Sequence, residues 1–211
     1  MTASPPGLAA GSAATPMHRR STGSGVTVAV YAHQESTGSG PLGCVSFVSE
    51  GMARFGQKEV VITLPVSVAI TGAQVSEEPF HLLDTIASLA AQGRTVDVGS
   101  ITQFGARSPF GKHIVYARAQ TLTGVPVSPA MLTVLFVSEE ELQSVGACGL
   151  TRLLSRIGAA CSWFPFPSCL DPMRPGLPMA ETVEQSILAR MPHTFVAEVR
   201  ATQTHEALWL V

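Results

Sequence analysis

Hydrophobic residues in this chain recur in short runs with two distinct periods. Residues 26–31 (VTVAVY), 44–48 (CVSFV), 59–64 (EVVITL), 113–119 (HIVYARA) and 131–137 (MLTVLFV) are β-branched, aliphatic and strand-sized. The run at 131–137 is apolar throughout, which predicts a strand buried on both faces at the centre of a sheet. Between these runs the period lengthens. Phe80, Leu83, Ala87 and Ala90 share one helical face within 76–93, with Ser76 as N-cap, Glu77 and Glu78 at the positive end of the dipole, and Gly93 as the stop. Ser138 and Glu141 have capping-box spacing. They open a helix that turns Leu142, Val145, Leu150, Leu153, Leu154 and Ile157 inward, with Gly146 and Gly149 as places where it breaks in two. A short helix at 181–190 and closing strands at 194–199 and 207–211 complete the pattern. The fold class is therefore α/β in the broad sense (α+β): a mixed sheet with two to three packed helices.

Glycine, proline and serine punctuate the rest. Residues 1–25 are too small and polar to offset the entropy of ordering, so a disordered tail is expected there. A single domain is expected over 26–211, with a flexible Gly/Ser loop at about 34–43 and a turn at 51–57.

Composition removes several classes. Apolar residues make up 45% and charged residues 13%, so the surface is largely Ser, Thr, Gly and Gln. A net charge of -2 offers no basic face to nucleic acid. Lys58 and Lys112 are the only lysines, which argues against polybasic membrane binding. No apolar run reaches the roughly 20 residues of a membrane-spanning helix, and no hydrophobic segment follows the first charges as a secretory signal would. Cys44, Cys148, Cys161 and Cys169 lack C-x-x-C spacing and are expected to be free thiols in a cytoplasmic setting.

Reactive motifs fail on their context. GARSPFGKH, at 105–113, imitates a P-loop, but five residues separate its glycines, His113 replaces the magnesium-binding hydroxyl, and a strand follows instead of a helix. Glu139, Glu140 and Glu141 suit a helix N-terminus better than a facing acid/base pair. Cys161 follows a helix C-terminus, whose partial negative charge disfavours a thiolate. No catalytic residue, cofactor or metal is expected. The segment 163–178 (WFPFPSCLDPMRPGLP) is too rigid and apolar for a linker. Packing across the sheet is the first expectation for it. The second is a partner-binding surface formed by Trp163, Phe164, Phe166 and Arg174, residue types that anchor interfaces.

Four stretches carry a family pattern. Gly51, Met52, Gly56, Gln57, Glu59, Val61, Ile62 and Leu64 form the first, and FHLLDTIASLAAQG the second. QFGARSPFGKHIVYA is the third. The fourth places Arg152, Leu153, Arg156, Gly158, Ala159, Phe164, Pro165, Pro167, Arg174, Glu181 and Thr182 in register. From about residue 44 to 191 the chain resembles the first half of the C-terminal domain of the SARA/endofin family of endosomal adaptors. That resemblance implies a non-catalytic adaptor in receptor trafficking or signalling, with other proteins as partners and endosome association through them. The family's FYVE finger needs clustered Cys pairs that are missing here, which argues against direct membrane binding. Two alternatives stand beside it: a Suppressor-of-fused-like binding domain, which SEEELQSVGACGLTRLLSRIG and DPMRPG resemble, and a small enzyme whose site would draw on Cys161 or His113.

Overall fold

In a computed structural model, the described residues are 15–177 apart from 39, 73, 106, 107 and 164, together with the backbone of 201–203 and 208–210. Side chains of 146–148 are also outside the description. The predicted helix at 181–190 and strand at 194–199 lie outside the described residues, as does most of the tail at 1–25.

Seven strands form one mixed sheet: β1 (His18–Ser21), β2 (Thr27–Thr37), β3 (Gly40–Glu50), β4 (Val60–Pro65), β7 (Ile101–Thr102), β8 (His113–Arg118) and β9 (Leu132–Val137), in the order β1-β2-β3-β4-β9-β8-β7. The sequence in between forms a one-turn helix α1 (Val66–Ala69), a small hairpin of β5 (Ile70–Thr71) and β6 (Gln74–Val75), and the long helix α2 (Glu78–Ala91). Helices α3 (Glu139–Cys148) and α4 (Leu150–Cys161) follow β9. The fold is α+β. Four α-helices occur among the described residues, one more than expected, because the turn after Pro65 closes a helical loop. A second unit, 178–211, contains a separate hairpin of β10 (Ala201–Gln203) and β11 (Leu208–Leu210).

All ladders of the large sheet are antiparallel except β4–β9, which is parallel and pairs only Val60 with Leu132 and Val61 with Thr133. As anticipated, β9 lies inside the sheet and is buried along its whole length. One face carries Val28, Val30, Val45, Phe47, Ile62, Leu64, Tyr116, Val134 and Phe136. Against it α2 presents Phe80, Leu83, Ile86 and Ala87, the period of the helix matching the pleat of the sheet. The opposite face is apolar at Ala29, Tyr31, Val48 and Val61, where Leu122, Val125 and Val127 cover it.

Two sequence expectations are corrected. Residues 18–21 form an edge strand and not part of a tail: β1 pairs with β2, and Arg20 grips Glu77 at 2.7 and 2.8 Å. Residues 34–37 and 40–43 are paired strand and no flexible loop. They continue the β2–β3 ladder to Thr37↔Gly40, because paired backbone groups do not require apolar side chains. The expected turn at 51–57 holds a 3₁₀ helix (Met52–Phe55) between Gly51 and Gly56, both with positive φ. Glu59 fastens it, accepting the N–H groups of Gly51 and Met52 at 2.8 and 2.9 Å. Gln57, 2% exposed, clamps the backbone of Val96 in both directions. The glycines and Gln-x-Glu of the first family-like stretch therefore serve the fold.

Candidate functional site

Toward the β2–β3 hairpin the second face of the sheet turns polar. Cross-strand register aligns Tyr31, Ser46 and Thr63 in one row, and His33, Cys44 and Pro65 in the next. His33 reaches diagonally, its Nε2 lying 2.9 Å from Ser46 Oγ, which is 2.8 Å from Thr63 Oγ1. His33 Nδ1 lies 3.0 Å from Glu35 Oε1, and that oxygen also accepts the Thr123 N–H at 3.0 Å. Burial lowers the pKa of His33 against the opposing pull of Glu35, so the ring stays neutral at neutral pH.

In connectivity this is the hydroxyl–imidazole–carboxylate chain of a serine hydrolase. Its surroundings differ from those of an open active site. Ser46 is 0% exposed and Thr63 4%, and neither lines a described cavity. A nucleophile must approach its carbonyl to about 3 Å, so a substrate would have to open this face to reach the hydroxyl. The chain satisfies buried polar groups that a sheet face cannot leave unpaired.

The proline-rich segment 163–177 passes over this part of the molecule. It departs from the C-terminus of α4, where Ser162 has φ 51° and the Trp163 N–H returns to the Gly158 carbonyl at 2.9 Å. Gly158 is required there: a Cβ would stand 2.5 Å from the Pro165 carbonyl oxygen. Gln120 then holds the Phe166 carbonyl at 2.6 Å, and Phe166, Ser168, Cys169 and Leu170 are buried.

The segment ends on Glu141. The capping box forms as its spacing predicts, with Glu141 accepting the Ser138 N–H at 2.8 Å. The same fully buried carboxylate accepts Arg174 at 2.7 and 3.0 Å and the Leu177 N–H at 2.9 Å. Burial works against its charge, yet these hydrogen bonds, Arg174 foremost, overcome it and hold the carboxyl below the usual range.

Between this segment and the β2–β3 hairpin tip lies an open cleft of about 490 Å³. Pro41 and Leu42 form one wall, Pro65 and Ser67 another, and Cys161, Trp163, Pro167, Cys169, Leu170, Asp171 and Arg174 the third. It opens at the C-terminal end of β4, beyond the two pairs that join β4 to β9.

Of the four residues expected to meet a partner, only Trp163 offers the cleft an uncommitted side chain. Phe164 lies outside the described residues, and Phe166 is 8% exposed. Arg174 touches the cleft, but its guanidinium belongs to Glu141. Sequence reasoning missed Pro41, Leu42 and Pro65, whose nearness to Trp163 depends on tertiary packing alone. His113, which is not among the residues lining the cleft, pairs with Glu139 at 2.8 Å at the start of α3. GARSPFGKH runs into β8, as its context required, and Lys112 donates to the Arg174 carbonyl at 3.3 Å. No group of three or more His, Cys, Asp or Glu able to hold a metal occurs among the described residues. Among them, too, no helix is long and apolar enough to cross a membrane.

Neither protein-family models nor curated proteins show a match to this chain.

Proposed function

We propose that the chain is a non-catalytic protein-interaction domain that receives an extended, apolar segment of another protein in the cleft beside Trp163. The observation carrying this reading is the composition of the cleft. Three prolines and a half-buried Trp line an open trough, and rings of low conformational freedom lose little entropy when a ligand docks. Arg174 is paired with Glu141, which leaves Asp171 as the acidic residue of the described lining and favours a Lys or Arg in the bound segment. The resemblance to SARA/endofin adaptors supports the same class. It extends the proposal to a cytoplasmic adaptor, brought to endosomes by its partners, in receptor trafficking or signalling. Panning a random peptide library on the full chain tests the reading. Apolar peptides bearing one basic residue should be enriched, and Trp163→Ala should weaken them at least about tenfold, the loss of one aromatic anchor. No enrichment over an unrelated protein would remove the proposal.

A second reading, a hydrolase, is favoured by the hydrogen-bonded Ser46–His33–Glu35 chain alone. Incubation with a fluorophosphonate decides it. Labelling of Ser46 in the folded protein would make the chain an enzyme, and an unlabelled Ser46 leaves the binding module.

A further inference from the structure

The outer edge of β2 is only partly covered. β1 pairs with it from Thr27 to Val30 and stops, whereas β2 itself runs on along β3 to Thr37. Successive residues of a strand aim their backbone groups at opposite sides. The carbonyls of Val26 and Val30 accept the N–H groups of Thr22 and Met17, on the side away from β3. The even-numbered residues therefore face outward, and those beyond Val30 are Ala32, Gln34 and Ser36. Among the described residues, the N–H and C=O groups of these three have no partner. Their side chains are exposed as well. Pro16, which precedes Met17, has no N–H with which to carry β1 further along this edge. The stretch 31–37 (YAHQEST) holds no Lys, Arg or Pro, the residues that commonly keep a foreign strand from adding to an edge.

We propose that this edge pairs with the same edge of a second copy of the chain, antiparallel, about a two-fold axis at Gln34. Hydrogen bonds form only where outward-facing residues stand opposite one another. With the axis at Gln34, Gln34 meets the partner subunit's Gln34, and Ala32 meets the partner subunit's Ser36. Every free backbone group of the three residues is then satisfied. An axis at His33 would set Ser36 against a Val30 whose carbonyl already holds Met17, and an axis at Glu35 would carry Ala32 past the end of the strand to Gly38. The side chains select the same register. In antiparallel pairing the residues between the hydrogen-bonded pairs approach most closely, and here they are His33 and the partner subunit's Glu35. Within one chain this imidazole and carboxylate already bond at 3.0 Å, so the axis repeats a complementary couple. Either neighbouring axis would instead oppose His33 to itself or Glu35 to itself, and like groups directly opposite are unfavourable. The two sheets become one continuous sheet. Because the interface is self-complementary, association closes at the dimer. This inference is independent of what the cleft binds.

Sedimentation equilibrium of the full chain, at concentrations up to about 1 mM, tests the pairing. The mean mass should rise to twice that of the monomer and no higher. Gln34→Pro removes an outward N–H without touching the bonds between β2 and β3, and Gln34→Lys places like charges on the axis. Each should weaken self-association at least about tenfold, while the dilute monomer keeps its wild-type circular dichroism and urea midpoint. Cross-linking reads the register. Residues directly opposite lie about 5.5 Å apart between Cα atoms, within reach of a disulfide. Mild oxidation of Gln34→Cys should therefore join two copies at position 34, mapped by mass spectrometry, whereas Ala32→Cys, which does not face itself, should not join at position 32. A chain that stays monomeric throughout, a dimer that both Gln34 substitutions leave intact, or Ala32→Cys joining as readily as Gln34→Cys would each overturn the proposal. A monomer whose Ala32, Gln34 and Ser36 amides resist hydrogen exchange would also overturn it, giving the edge to residues 1–14 of the same chain.

Discussion

Replacing Arg174 by Ala would leave the Glu141 carboxylate in a site with 0% exposure and no countercharge. Two backbone N–H donors, from Ser138 and Leu177, would still reach it, at 2.8 and 2.9 Å. Removing one member of a buried ion pair costs about 3–5 kcal/mol. The low end applies here, because the Arg174 side chain is 15% exposed and water can enter the vacated space. A loss of about 3 kcal/mol is therefore expected in urea unfolding at pH 7. Glu141→Gln should cost a comparable amount, and the double variant less than the sum by about 2 kcal/mol, since the two side chains act as one unit. The same experiment in acid has a definite sign. Glu141 titrates below its ordinary value of 4.5 in the folded chain, so its contribution is present above that value and is lost as pH falls through the lower folded pKa. The gap between wild type and Arg174→Ala should accordingly narrow below pH 4.5. Strictly additive single costs, or an Arg174→Ala variant within about 0.5 kcal/mol of wild type, would refute the assignment of Arg174 to the interior, since surface substitutions fall in that range.

Three further outcomes are expected. Gly158→Ala gains about 1 kcal/mol of helix propensity but drives a Cβ to within 2.5 Å of the Pro165 carbonyl, a rigid neighbour whose displacement costs about 1–3 kcal/mol, so a net loss should appear as a lower urea midpoint. Gln57→Ala strips both backbone groups of Val96 of their partner and should cost about 2–4 kcal/mol in the same assay, against almost nothing for an exposed Gln. His33, its pKa lowered by burial, is protonated more readily in the unfolded chain. Stability should decline as pH falls below 6.5, and His33→Gln should flatten that decline; equal slopes for the two proteins would count against a neutral buried ring.

The sequence made legible those elements whose local pattern and tertiary role coincide. The strand at 132–137 is apolar because both faces are covered, and the helix at 139 begins where Ser138 and Glu141 can satisfy its free N–H groups. What escaped is held by partners distant in the chain. HRRS shows no alternation of apolar residues, and it becomes β1 because Arg19 and Arg20 find Glu50 and Glu77 while its backbone pairs with β2. Residues 34–43 have the composition of a linker, but their ladder depends on backbone groups that composition does not report. The same limit applied to the site. An Arg among aromatics and prolines suits an interface and an interior equally well, and the buried carboxylate that it pairs with lies on another element. The meeting of Ser46 with His33 belongs wholly to register.

The two-residue ladder between β4 and β9 also bears on how the sheet comes together in time. β1 to β4 form a meander of neighbours, and β8 and β9 are consecutive in sequence, so each group can zip with small loop-closure entropy. The seam must instead join stretches with α2 and several loops between them. It is held chiefly by the apolar layer under α2, which draws on β2, β3 and β4 on one side and on β8 and β9 on the other. The β4–β9 seam is thus expected to form last, with φ-values near zero at Val60 and Val61.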